Sequence, residues 1–135
     1  MCVMKLTLRS EYALLALVYL ARRETSEYVP VRTIAQEQGI PPKYLEQILL
    51  SLKRASYLRS VKGQGGGYTL AKPANRITLA EIIRLFDGPL ASTGSASVFF
   101  YEPTPIEKDP NLLRVFKEIR DYVAEKLEFL TLADL

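Results

Sequence analysis

Apolar residues recur along most of this chain with helical spacing, and the breaks fall at glycine and proline. Arg9 to Arg22 is apolar around most of a helical circumference, which predicts a buried helix with Leu14, Leu15, Leu17, Val18 and Ala21 turned inward. A turn ends at Pro30, and Val31–Gln38 then reads as a short helix with Ile34 and Ala35 inward. Gly39 stops it, because glycine tolerates the left-handed conformation just beyond a helix end. Pro41 and Pro42 suit the first turn of the next helix, where the missing N–H groups lose no intrahelical bond. That helix runs to about Ala55 and places Leu45, Ile48, Leu49 and Leu52 on one face. Leu58–Val61 and Tyr68–Leu70 read as short strands around Lys62-Gly63-Gln64-Gly65-Gly66-Gly67, a basic, side-chain-poor hairpin tip. Asn75 or Thr78 caps a further helix through Phe86, and Thr78 with Glu81 makes a capping-box pattern.

Gly88 to Asp109 breaks this periodicity. It is rich in Gly, Pro, Ser and Thr and reads as a long loop, although Val98-Phe99-Phe100-Tyr101 is too apolar to be freely solvated. Asp109-Pro110 opens the last helix as N-cap and first-turn proline. Leu112, Phe116, Ile119, Val123, Leu127 and Leu130 form its apolar stripe, broadened by Val115, Tyr122 and Phe129. Twenty residues at about 1.5 Å each make this helix roughly 30 Å long.

A short helix, a glycine turn, a second helix and a strand pair form, in this order, a winged helix-turn-helix. The expected fold is mainly α with a small β-wing and a long C-terminal dimerisation helix. The expected divisions are a DNA-binding domain over 1–87, a loop over 88–109, and a dimerisation helix and tail over 110–135. On the second helix, Lys43, Tyr44, Glu46, Gln47, Lys53 and Arg54 lie opposite the core stripe. Side chains near the N-terminus of a recognition helix meet base edges. Lys43 can pair with guanine or a phosphate, Gln47 bidentately with adenine, and Glu46 with the cytosine amino group. The alternative for Glu46 is a salt bridge to Lys43 or Lys53. Lys53 and Arg54 are placed to touch phosphates, which fix register without reading sequence.

Charge sharpens this picture. Residues 1–76 hold 12 Lys/Arg against 5 Asp/Glu, and residues 77–135 hold 6 against 10, so the overall +3 conceals a basic half and an acidic half. A basic half is what a polyanion-binding face requires. One cysteine and no histidine exclude an intrachain disulfide and a Cys/His metal site within one chain. No metal and no cofactor are therefore expected. The apolar run Tyr12–Ala21 is too short to span a bilayer, and a cytoplasmic location fits the composition. An enzyme is disfavoured, since no activated nucleophile is recognisable and the glycine run precedes a strand, whereas a phosphate-cradling loop opens a helix.

Several motifs stand out: Lys5-Leu6-Thr7-Leu8-Arg9-Ser10-Glu11-Tyr12-Ala13, Ile34-Ala35 with Gly39-Ile40, and Tyr44-Leu45-Glu46-Gln47-Ile48-Leu49. Ser60-Val61-Lys62-Gly63 with Gly65-Gly66-Gly67-Tyr68, Thr78-Leu79-Ala80-Glu81-Ile82-Ile83 and Gly88-Pro89-Leu90 continue the set. Together they resemble the Rrf2 family of bacterial winged-helix regulators, which includes the iron–sulfur cluster regulator and the cysteine-metabolism repressor. The likeness spans about residues 4 to 130, which makes Met1-Cys2-Val3 look like an extension. The resemblance implies a transcriptional regulator, a repressor in the preferred reading, acting as a homodimer on an inverted repeat in double-stranded DNA. Its expected DNA contacts are Thr7, Arg9, Tyr12, Arg32, Pro42, Lys43, Tyr44, Glu46, Gln47, Lys53, Arg54, Arg59, Lys62, Gly63, Gln64, Gly65 and Gly66. Its expected dimer contacts are Leu112, Phe116, Ile119, Val123 and Leu127.

Three departures qualify the likeness. Cluster-binding members carry three cysteines in the loop after Gly-Pro-Leu, and here that loop holds neither cysteine nor histidine, so the cluster is rejected. Lys62 stands where arginine is common and lacks its planar fork. Glu11 replaces a common arginine at one expected phosphate contact. The signal is left open between a small molecule, a partner protein and oxidation of Cys2, for which an inert tail thiol is preferred. The competing function is a winged-helix adaptor that binds protein and has no specific DNA target.

Overall fold

The computed structural model of the protein describes residues 6–23, 26–91 and 94–135. The element order is α1 (Leu8–Ala21), α2 (Val31–Gln38), α3 (Pro42–Arg54), β1 (Leu58–Val61), β2 (Gly67–Leu70), α4 (Leu79–Asp87) and α5 (Pro110–Phe129). Single 3₁₀ turns occupy Ala74–Arg76, Gly94–Ala96, Pro105–Lys108 and Leu132–Asp134. The chain packs as two compact units: residues 11–77 with 131–135, and residues 78–130 with the start of α1. Packing thus groups α4 with α5, whereas its sequence position after the wing suggests the DNA-binding half.

Residues 11–77 hold the helix-turn-helix and the wing. Of the α1 side chains expected inside, Leu17 is fully buried, but the helix enters the core on Ala13, Ala16, Leu17 and Leu20. Leu14, Val18 and Ala21 are half-buried, and Leu15 is 42% exposed. Two alanines one turn apart let neighbouring elements approach closely, and a helix apolar on nearly every side gives no periodic hint of which stripe they will choose. Gly39 closes α2 in the left-handed conformation at φ 66°. Leu45, Ile48, Leu49 and Leu52 of α3 are all buried, as their spacing predicts. In the tail, Leu132 is buried and its N–H donates to the Ile77 carbonyl at 3.0 Å.

The wing is a two-stranded antiparallel ladder in which Leu58 faces Leu70, Arg59 faces Thr69, Ser60 faces Tyr68 and Val61 faces Gly67. Val29 extends it, exchanging two 2.8 Å backbone hydrogen bonds with Tyr68. This close approach requires Gly67: its φ is 147°, and an added Cβ would lie 2.0 Å from the Val29 carbonyl oxygen. Gly66 is equally constrained, since its Cβ would lie 2.2 Å from the Val61 carbonyl oxygen.

Residues 78–130 form the second unit. Thr78 caps α4 with the expected capping box, its hydroxyl accepting from the Glu81 N–H at 3.2 Å. Asp109 caps α5 by accepting from the N–H groups of Asn111 and Leu112 at 2.9 and 3.1 Å. The loop between them is not structureless. Ser95 is buried, and its hydroxyl donates to the Glu107 carboxylate at 2.8 Å while accepting from the Thr104 N–H at 2.8 Å. A carboxylate only accepts, so the Thr104 hydroxyl, 2.6 Å from Ser95 Oγ, is left to donate to it. The Tyr101 hydroxyl donates to the same carboxylate at 2.9 Å. The expectation that Val98–Tyr101 would be shielded is not met: Val98 is 62% and Phe99 69% exposed. Phe99 instead offers its ring face to the Arg84 guanidinium, 4.9 Å from the centroid.

Two measurements test these arguments. Gly67→Ala is expected to lower stability in urea by more than about 1 kcal/mol, because the residue has positive φ and no room for a side chain. The hydrogen bonds from Ser95 and Tyr101 hold the Glu107 carboxyl below the ordinary value, and the bond to Glu107 holds the Tyr101 phenol above it. A depressed folded value means that the network stabilises the loop above the unfolded carboxyl range, about 4.3, and that this is lost as pH falls through the folded value. NMR titration should therefore find Glu107 below the ordinary glutamate value, and Tyr101→Phe should move it upward.

Candidate nucleic-acid interface

With its apolar stripe buried, α3 exposes Lys43, Tyr44, Glu46, Gln47, Lys53 and Arg54. Pro42 is exposed at its first turn, and Arg32 is exposed on α2. Tyr44 meets Tyr12 edge to face, the ring centroids 5.5 Å apart, which stiffens the start of the helix without covering its polar neighbours. The salt bridge considered for Glu46 is not formed with Lys43, Lys53 or any other described residue. Its charge is felt by Tyr68 instead. Burial, and then the Glu46 carboxylate, push the Tyr68 hydroxyl above its ordinary value. A negative group on the recognition helix therefore lies within electrostatic reach of the wing strand.

At the wing tip, Lys62, Gly63, Gln64 and Gly65 are exposed. Gly66 is buried and donates its N–H to the Gly63 carbonyl at 3.0 Å, so it shapes the tip from within. Val61, 48% exposed beside the tip, is not among the contacts expected from the sequence. Arg59 is exposed on β1 and lines a groove at the wing base with Arg23 and Lys72.

Thr7 and Arg9 belong to the other unit and have local partners there. Thr7 caps α1 by accepting from the Ser10 N–H at 3.3 Å, its own N–H donates to Asp87 at 3.0 Å, and its hydroxyl donates to the same carboxylate. That side chain is spent on the fold. The Arg9 guanidinium stacks over Phe86 at 5.3 Å from the ring centroid, which orients it and leaves it exposed.

The stripe expected on α5 divides into two. Phe116, Val123 and Leu127 are half-buried, on the side where the Leu79 N–H donates to the Leu130 carbonyl, Arg84 pairs with Glu128 at 2.6 Å and Arg120 donates to the Ala96 carbonyl at 2.8 Å. Leu112 and Ile119 face out at 48% and 41% exposure, together with Val115, Tyr122 and Phe129. Steps of three and four residues relate these exposed positions, with Lys126 filling the one polar place. That alternation was the available signal for the outer stripe. No α5 residue is fully buried.

The loop that holds cysteines in cluster-binding relatives does not fit iron here. Its inward polar groups, Ser95, Thr104 and Glu107, are committed to one another, and the described residues contain no group of three His, Cys, Asp or Glu side chains able to hold a metal. The one thiol, Cys2, lies outside the described residues. Among the described residues, no helix is long and apolar enough to cross a membrane.

A family model described as an iron-dependent transcriptional regulator, Rrf2, matches residues 6–135. The chain is similar to the HTH-type transcriptional regulator CymR of Bacillus subtilis, with 30% identity over 98% of this chain and 89% of CymR. Its fold is similar to the solved structure of CymR, titled the global cysteine regulator of B. subtilis, at TM-score 0.80 and 29% identity over 96% of this chain and 94% of that one. It also resembles T. potens IscR at TM-score 0.72 and 28% identity, over 96% and 84% of the two chains. A winged helix with an outward polar recognition face, matched by sequence along nearly its whole length, makes this chain a member of the Rrf2 family of DNA-binding transcriptional regulators, and not an enzyme.

Proposed function

We propose that the protein is a homodimeric, sequence-specific regulator that represses transcription by occupying an inverted-repeat operator, without an iron–sulfur cluster. The observation that carries the reading is α5. Twenty residues long, it has no buried residue and exposes Leu112, Val115, Ile119, Tyr122 and Phe129 along one seam. A seam with this alternation is what a second copy of the same helix packs against. Continuous apolar surface of this kind is rare on a protein that works alone. Two copies related by a twofold axis would carry two recognition helices, suited to half-sites about 34–36 Å apart on one face of the duplex. In each half-site Glu46 and Gln47 are the base readers, Lys43 reads or anchors, and Lys53, Arg54 and Lys62 hold phosphates. Such a dimer excludes polymerase simply by residence, which favours repression. Its place of work is the cytoplasm.

The adaptor alternative predicts little dependence on salt. If the dimer neutralises roughly 6–10 phosphates, operator affinity should fall on the order of a thousandfold between about 50 and 200 mM salt. A flat response in a filter-binding series would remove DNA from the account.

Gln47→Ala should reduce discrimination on a site selected from random DNA by about 1–3 kcal/mol at one position, leaving nonspecific affinity nearly unchanged. Lys53→Ala should weaken all duplexes alike. Equal discrimination by Gln47→Ala and the parent protein would move the reading face elsewhere.

Charging the outer seam should dissociate the dimer. Burial of an isoleucine is worth roughly 1.5–3 kcal/mol, so Ile119→Glu in both copies should cost several kcal/mol of association. Sedimentation should find a folded monomer, with operator affinity lowered through lost avidity. A dimer surviving this change would place the interface away from α5.

A further inference from the structure

The wing base carries a basic groove of whose cations only Arg59 is among the expected DNA contacts. It has a volume of about 460 Å³, and its cations are Arg23 after α1, Arg59 on β1 and Lys72 after β2, with Ser26 and Thr69 supplying hydroxyls. Among the described residues, no carboxylate lines it. Arg23, Arg59 and Lys72 form no ion pair with a described residue.

Two of these cations are held in place. The Arg23 guanidinium lies 5.8 Å from the Tyr19 ring centroid and donates from Nη1 to the Tyr19 hydroxyl at 3.2 Å. The Lys72 ammonium lies 4.5 Å from the Tyr57 ring centroid. The Arg23 Nε is buried and has no hydrogen-bond partner among the described residues. Like charges around one concavity repel each other, and a multiply charged anion relieves that repulsion.

We propose that this groove binds a small molecule bearing two adjacent phosphate groups, of the pyrophosphate or nucleoside diphosphate class. A diphosphate presents several oxygens in different directions. It can accept from the Arg59 fork and from the Arg23 guanidinium and lie against the Lys72 point charge, which one carboxylate cannot do. The groove volume falls in the range of small-molecule sites, about 300–1,000 Å³. Arg59 and Thr69 face each other across the wing ladder, so the ligand acts directly on the base of the element that carries Lys62 to DNA.

The same phosphate chemistry could come from the backbone of a flanking duplex, and the test separates the two sources. Pyrophosphate and ADP are titrated by calorimetry into the full chain and into the Arg23→Gln/Lys72→Gln variant, with operator affinity measured on both without added anion. Binding to the parent, weakened on the order of tenfold or more in the variant, is expected from loss of two charge-assisted partners. Operator affinity should stay within about twofold, since neither side chain belongs to the DNA-reading set. No uptake of either probe by the parent, or equal uptake by both proteins, overturns the proposal. A variant that binds probes weakly but also loses operator affinity on the order of tenfold overturns the small-molecule source, because the duplex backbone then fills the groove. Should the double variant lose its helical circular dichroism, Arg59→Glu reads the same loss of probe binding from an exposed strand position. Undiminished binding by that variant also overturns the site.

Discussion

Burial of Leu45, Ile48, Leu49 and Leu52 fixes the rotation of α3, and the rotation of α3 fixes which side chains it presents outward. At roughly 1.5–3 kcal/mol per side chain, these four contributions together rival the net stability of a whole domain, about 5–15 kcal/mol. No weaker interaction can turn the helix. Lys43, Glu46 and Gln47 are therefore presented outward by packing, and they need no ion pairs of their own to hold them there. Polar groups left unpaired on a rigid face are available to base edges. The wing depends on a similarly stiff constraint. Gly67 lets its strand exchange backbone hydrogen bonds with Val29, and Val29 leads directly into α2 through Pro30. Recognition helix and wing are thus tied into one packed unit.

The loop after α4 is held by its own side chains: Ser95, Tyr101 and Thr104 fold around the Glu107 carboxylate. One carboxylate accepting several hydrogen bonds draws together side chains up to twelve residues apart. Its charge is stabilised by donors, so it needs no cation. The network is also exclusive. An oxygen already accepting from a serine, a tyrosine and a backbone N–H is a poor ligand for iron.

Much of this was legible in the sequence, because α2, α3 and the capped starts of α4 and α5 each carry a local signal. Amphipathic spacing, Gly39, the Thr78–Glu81 box and Asp109-Pro110 act within one or two turns. Failures occurred where the deciding partner is remote. The inward face of α1 is chosen by neighbours that approach Ala13 and Ala16, which nothing in a uniformly apolar helix announces. That the Thr7 hydroxyl bonds to Asp87, eighty positions away, has no local signal. Gly66 reads as an open tip residue until the Val61 carbonyl closes over it. Turns inside the 88–109 loop depend on hydrogen bonds among residues that share no periodicity.

The long helix carries two apolar stripes side by side, and this explains why a single stripe was read from the sequence. Leu113, Phe116, Val123, Leu127 and Leu130 are partly covered within the chain, while Leu112, Val115, Ile119, Tyr122 and Phe129 have more open positions or lie one step around the helix from them. Both sets follow spacings of three and four, so a stripe drawn through Leu112, Phe116, Ile119, Val123 and Leu127 crosses from one to the other. The inner set is anchored by Arg84–Glu128 and by Arg120 on the Ala96 carbonyl, polar contacts that fix which side faces α4 and the loop. Once the inner side is assigned, the outer side follows from helix geometry alone. A helix apolar on one stripe could satisfy its own chain or a partner. One apolar on two adjacent stripes has surface for both at once, which is the arrangement that allows a dimer to form without unfolding its subunits.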